Sequence, residues 1–271
     1  MAQVQLSIVD AFTDTPFTGN PAAVVQVSTM PSDHWMASVA RELNVSDTAF
    51  VVPASDPEAD YRLRWFTPVT EVDLCGHATL AAAFVLTDSQ QATVRFTTCS
   101  GILTVTRGDD DGLQMDFPAN PPVEEPAPSV LRDALSAALL WTGRGANNQI
   151  LARVEDEETV RSIRPDLAAI GTIDAQAIIV TALADGGAKY DFVSRLFAPR
   201  AGIPEDPVTG SAHTVLGPYW AGHLGRQALL GYQASPRPGY VGVVVQEHRV
   251  LISGRAVLVF TGLLSPEATP S

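Results

Sequence analysis

Two helical stretches without a polar face, Gly76–Thr87 and Ser211 to about His223, lie among short strand-like runs and constrain the fold of this chain most. A helix that is apolar all round has no side to turn to water, so it has to be enclosed. Its neighbours in sequence are strands, and a sheet encloses a helix by curling around it. The first half supplies such strands at Gln3–Val9, Ala22–Val27, Thr48–Pro53, Tyr61–Phe66, Thr93–Thr97, Ile102–Arg107 and Leu113–Phe117. A second helical pattern at Asp33–Leu43 is amphipathic, with Met36, Val39, Ala40 and Leu43 on one face. The expected class is α+β, with curled sheets around central helices.

The chain has 271 residues, 46% of them hydrophobic, enough for two small cores. Five prolines between Phe117 and Pro128 break regular structure and read as an interdomain linker, giving lobes 1–118 and 119–271. The second lobe repeats the ingredients of the first. A helix is expected at Ser129–Leu140, and strands at Gln149–Val154, Ala177–Thr181, Tyr190–Phe197, Tyr240–Gln246, Arg249–Ile252 and Ala256–Phe260, the C-terminal tail being free to pack back on the first lobe. Similar segments introduce the two apolar helices, Asp73-Leu74-Cys75-Gly76-His77-Ala78-Thr79 and Asp206-Pro207-Val208-Thr209-Gly210-Ser211-Ala212-His213. This is a weak internal repeat.

Acids outnumber bases 30 to 17, for a net charge of -13, which argues against nucleic acid or an anionic membrane as partner. The amino-terminal residues do not read as a signal peptide and no apolar run is long enough to span a bilayer, so a cytoplasmic protein is expected. Cys75 and Cys99 are read as reduced thiols, and His34, His77, His213, His223 and His248 show no metal-ligand spacing. No phosphate loop or dinucleotide fingerprint is present. No metal and no cofactor are expected.

The candidate chemistry gathers at the two helix starts. Glycine followed by a small or polar residue, at Gly76 and Gly210, leaves backbone N–H groups open to a carboxylate or oxyanion, or merely permits close packing. His77 suits proton exchange near neutral pH, or caps its helix. Asp206 is a proton-transfer group or a loop-ordering carboxylate, and Ser211 a substrate ligand or an N-cap.

Several segments in order along nearly the whole chain resemble the PhzF family of phenazine-biosynthesis isomerases. They include Gly19-Asn20-Pro21-Ala22-Ala23-Val24-Val25, Glu42-Leu43-Asn44-Val45-Ser46-Asp47-Thr48-Ala49-Phe50-Val51, Arg64-Trp65-Phe66-Thr67-Pro68, Cys75-Gly76-His77-Ala78-Thr79, Glu205-Asp206-Pro207-Val208-Thr209-Gly210-Ser211-Ala212 and Ser253-Gly254-Arg255-Ala256. The resemblance implies the diaminopimelate-epimerase-like fold, two pseudo-symmetric lobes with the active site in the cleft. It implies Asp47, His77, Asp206 and Ser211 as catalytic residues, and Asn20, Ser46, Gly76, Thr209 and Gly210 as substrate-binding residues. The family usually has Glu where this chain has Asp47, so the carboxylate is shorter by on the order of 1.5 Å. Cys75 looks like the counterpart of the first cysteine of the two-thiol epimerases, whereas the second has no counterpart here.

On this reading Asp47 moves a proton between carbons of a small carboxylate-bearing metabolite, and its burial among apolar strand residues is expected to raise its pKa. Two alternatives stand beside it. One is an amino-acid epimerase or racemase of the same fold in which Cys75 takes part; the other is a metabolite-binding protein altered by the change at Asp47. The expected partners are the small molecule and, through exposed strand edges, a second copy in a homodimer.

Overall fold

The computed structural model describes residues 3–87, 91–108 and 112–270. By its internal contacts the chain divides into two units, one made of the described residues up to Asp116 together with those from Ser253 onward, the other of Phe117–Ile252. The last strand therefore belongs to the first unit, the lobe on which the sequence reading left the C-terminal tail free to pack back.

The first unit runs β1 (Gln5–Ala11), β2 (Asn20–Gln26), α1 (Asp33–Leu43), β3 (Asp47–Pro53), β4 (Tyr61–Phe66), β5 (Glu71–Val72), α2 (Gly76–Leu86), β6 (Thr93–Thr98), β7 (Gly101–Arg107) and β8 (Leu113–Pro118). Antiparallel pairs β1/β2, β3/β4 and β6/β7 are joined by parallel pairs β2/β3 and β4/β6, with β8 antiparallel to β7. Helix α2 packs against β1, β2 and β3 and also against β7, so the sheet curls around it. Residues His77 to Ala83 are all buried, as an apolar helix requires, and the run Ala81-Ala82-Ala83 lets strands approach closely. On the other face of β2 and β3, α1 covers a core of Val25, Met36, Ala40 and Phe50. Ser32 caps α1 by accepting from Trp35 N, and Asn44, in the left-handed conformation at φ 49°, ends it.

The second unit runs β9 (Val123–Glu124), α3 (Leu131–Leu135), β10 (Trp141–Arg144), β11 (Gln149–Arg153), α4 (Glu157–Ser162), α5 (Leu167–Gly171), β12 (Ala177–Leu183), β13 (Phe192–Ala198), β14 (Ile203–Asp206), α6 (His213–Leu224), β15 (Ala228–Gln233), β16 (Gly239–Gln246) and β17 (Arg249–Gly254). Antiparallel β10/β11, parallel β11/β12, antiparallel β12/β13, parallel β13/β15 and antiparallel β15/β16 repeat the order of the first unit step for step. The short strand before the enclosed helix recurs as well, β5 beside β4 and β14 beside β13. Helix α6 packs against β11, β15 and β16. The faint sequence repeat is thus a repeated topology. The chain returns to the first unit as β18 (Ala256–Leu263), antiparallel to β1. No helix among the described residues is long and apolar enough to cross a membrane.

Three sequence expectations need correction. The Pro-rich segment is not wholly irregular, since Val123 and Glu124 pair with Arg144 and Gly143. The helix expected at Ser129–Leu140 closes after Leu135 because Ser136 takes the left-handed conformation at φ 50°. Helix α6 starts at His213, with Gly210–Ala212 in a turn that His213 N closes onto Gly210 O.

Candidate active site

In the first unit the chain brings four chemistry-bearing side chains together. Asn20 opens β2, Asp47 opens β3, and the parallel pairing sets Asp47 opposite Ala22. Cys75 and His77 sit at the start of α2, which packs on both strands. The loop into Asn20 is fixed by Phe17 N donating to Asp10 Oδ2 at 2.7 Å and by Gly19 at φ +67°. A Cβ on Gly19 would lie 2.3 Å from Ala11 O, so only glycine fits.

His77 is the hub. Its Nε2 lies 3.4 Å from Asp47 Oδ2, its Nδ1 3.2 Å from Asn20 Nδ2, and Cys75 Sγ is 3.5 Å from Nδ1. All four residues are buried. Burial pushes the imidazole down to about 3, even with a carboxylate at 3.4 Å, because a charged ring would lose its hydration. The ring is neutral at physiological pH. Asp47, Cys75 and His77 offer ligand atoms within 4.8 Å of one another, a carboxylate–thiol–imidazole set whose donors suit a divalent transition metal. Histidine spacing alone did not reveal it, since the donors come from β3 and α2. Cys75 was named in the sequence only as an epimerase counterpart, yet it touches the central imidazole.

The amide end of α2 is open. Its N-cap residue Cys75 makes no side-chain capping hydrogen bond, and Thr79 N is the first amide to return to Cys75 O. The N–H groups of Gly76, His77 and Ala78 have no carbonyl within the helix, as at any helix start, and the dipole favours an anion there. Ser46 is half-buried immediately before β3.

In the second unit Asp206 ends β14 and is buried. Its Oδ2 accepts from the Thr209 hydroxyl three residues on. Gln233, at the end of β15 and fully buried, ties this turn together: its Nε2 donates to Asp206 O at 2.8 Å and to Thr209 Oγ1 at 3.2 Å, and its Oε1 accepts from Thr209 N at 2.9 Å. His213 Nδ1 donates to Thr209 O at 2.8 Å. Burial drives His213 down to about 4, against that hydrogen bond, which favours the charged ring. On the neighbouring strand Arg195 holds Glu205 in a two-pronged pair at 2.7 and 2.9 Å and donates to Val160 O and Ile163 O. Gly210 is buried in the turn before α6, and Ser211 beside it is half-buried. Gln233 and His213 were missed as site residues, because their partners are set by long-range packing.

A family model described as phenazine biosynthesis-like protein matches residues 9–262. The chain belongs to the PhzF family. A protein of Pseudomonas aeruginosa described as an uncharacterized isomerase is 46% identical over 259 residues, covering 94% of this chain and 96% of the relative. One of Halalkalibacterium halodurans, described in the same words, is 43% identical over 264 residues, 96% and 97% of the two chains. The crystal structure of a PhzF-family protein from Enterococcus faecalis superposes with a TM-score of 0.90 at 41% identity, covering 97% of this chain and all of that one. With a PhzF family model along most of its length and relatives of this kind, the chain is an isomerase-type enzyme that carries out acid/base chemistry on a small metabolite.

Proposed function

We propose that Asp47 is the acid/base group of the isomerisation, taking a proton from a carbon beside a carbonyl or unsaturated group and returning it to the same substrate at another carbon. The observation that carries this is a buried carboxylate 3.4 Å from the Nε2 of an imidazole kept neutral by burial. A neutral ring donates to the carboxylate without competing for the substrate proton, as a base in a proton shuttle requires. Asp206 is the second proton-handling group, with Thr209 and Ser211 beside it. On this reading the amides of Gly76 and His77, and those of Gly210 and Ser211, bind the substrate carboxylate or the oxyanion that forms as the proton leaves. Ser46 and Asn20 contribute polar contacts. The reaction needs no cofactor on this reading, since the proton is the only group moved.

The net charge of -13 supports a small metabolite and no nucleic acid as partner. The same reading makes this a cytoplasmic protein that pairs with a second copy. Cys75 Sγ at 3.5 Å from His77 Nδ1 supports a second reading, epimerisation at an amino-acid α-carbon with the thiol taking part. Proton exchange followed by NMR in deuterated water, over cyclic amino acids and aromatic-pathway intermediates, tests both. Asp47→Asn is expected to lower exchange 10²- to 10⁴-fold, as for loss of a general base. Exchange at the α-carbon without change in connectivity favours epimerisation, and undiminished exchange in Asp47→Asn overturns the assignment.

A further inference from the structure

In each unit a fully buried carboxamide decides which way the hydrogen bonds to the acid/base carboxylate point. Gln233 is the clearer case. Asp206 O can only accept and Thr209 N can only donate, so the Gln233 amide has a single orientation, Nε2 toward Asp206 O at 2.8 Å and Oε1 toward Thr209 N at 2.9 Å. With that orientation set, the contact of Nε2 with Thr209 Oγ1 at 3.2 Å makes the hydroxyl an acceptor. The one hydroxyl hydrogen of Thr209 is then directed to Asp206 Oδ2.

The first unit has the same construction from different residues. Asn20 Nδ2 donates to His77 Nδ1 at 3.2 Å, and the Cys75 thiol lies 3.5 Å from the same nitrogen. Nδ1 is therefore the acceptor nitrogen. The neutral ring carries its proton on Nε2, facing Asp47 Oδ2 at 3.4 Å.

We infer that Asn20 and Gln233 are positioning residues that fix the proton polarity of His77 and Thr209, so that each turns its hydrogen toward its carboxyl group, Asp47 or Asp206. Each acts through its neighbour, which for Asn20 stands beside the polar contact with substrate proposed above. The inference deepens the proposed function and rests on Asp47 and Asp206 being its acid/base groups. The titratable neighbours leave the polarity to the amides: His213, joined to Asp206 through Thr209, is neutral near pH 7, and Arg195 and Glu205 on the adjoining strands pair with each other. Beside Asp47 stand His77 and Cys75.

Two spectroscopic readouts on the full chain, taken without substrate, test this. Nitrogen-15 NMR of labelled imidazoles is expected to show His77 as the Nε2–H tautomer in the wild type and as the Nδ1–H tautomer in Asn20→Asp, whose carboxylate accepts where the amide donated. Carbon-13 carboxyl titration, assigned with Asp206→Asn, is expected to show proton affinity of Asp206 rising about tenfold in Thr209→Val. Gln233→Met is expected to raise it in the same direction, the Gln233→Met/Thr209→Val double variant no further than Thr209→Val, and Thr209→Ser to keep the wild-type value. An Nδ1–H tautomer in the wild type, an unchanged tautomer in a folded Asn20→Asp, or equal Asp206 titration in the wild type, Gln233→Met and Thr209→Val overturns the inference. Because neither readout needs turnover, failure of the exchange assay would overturn the acid/base reading while leaving these polarities intact.

Discussion

His213 gives the protein an acid-labile point that can be worked out in numbers. An unfolded histidine titrates near 6.5, whereas the buried ring of His213 is pushed down to about 4. As pH falls through 6.5 the unfolded chain takes up a proton that the folded one refuses, so stability is full above that value and declines below it until the folded ring titrates near 4. At pH 5.0 the gap amounts to about 1.5 pH units below the unfolded value, or roughly 2 kcal/mol at about 1.4 kcal/mol per unit. A domain with 5–15 kcal/mol of total stability loses a substantial part of it by this route. His77, held near 3, adds a loss of similar size in the first unit. Urea unfolding between pH 7.5 and 5.0 measures the slope, and His213→Gln, which keeps a donor for Thr209 O, is the perturbation. The variant is expected to lose about 2 kcal/mol less than the wild type over that interval, whatever its stability at pH 7.5. If the two slopes coincide, the protonation cost of His213 has been misassigned.

Two further outcomes concern the supports of the site. Gly19→Ala places a Cβ 2.3 Å from Ala11 O at φ +67°, and should cost at least about 2 kcal/mol in urea unfolding while moving the neighbouring Asn20. Arg195→Met strands Glu205 and the carbonyls of Val160 and Ile163 beside the strand that ends in Asp206, for an expected loss of about 3–5 kcal/mol by the same measurement.

What the sequence made legible was whatever a local period encodes. Tyr61–Phe66 and Asp33–Leu43 were readable to the residue, because alternation and a one-sided apolar stripe are local properties. The apolar α2 was readable from composition. The stretch Leu131-Arg132-Asp133-Ala134-Leu135-Ser136-Ala137-Ala138-Leu139-Leu140 has the composition of one longer helix, but the left-handed turn at Ser136 frees the chain to enter β10. Strand β15 escaped notice because Gly231 interrupts its pattern. That glycine is required, since a Cβ there would lie 2.5 Å from the Phe192 ring and 2.9 Å from His213 Nε2. Short helices α4 and α5 left only their caps, Asp156 and Asp166, as signals. Asp47, His77 and Asp206 were singled out through motif resemblance, whereas Gln233 had no local signature, its partners lying 24 and 27 residues away.

The repeated topology explains why the two carboxylates come from different places. Asp47 opens β3, and the matching strand β12 opens with Ala177, which carries no acid. Asp206 ends β14, before the second enclosed helix, and the matching Asp73 after β5 is exposed, its backbone carbonyl accepting from the Ser100 hydroxyl. Asp47 and Asp206, both buried, therefore stand at opposite positions of a shared scaffold. Asp47 has the His77 Nε2 beside it at 3.4 Å, and Asp206 accepts from the Thr209 hydroxyl. The duplication supplies a helix start in each unit, and the buried acids have diverged in position around it, one on the strand that leads the unit's second antiparallel pair and the other on the short strand before the helix.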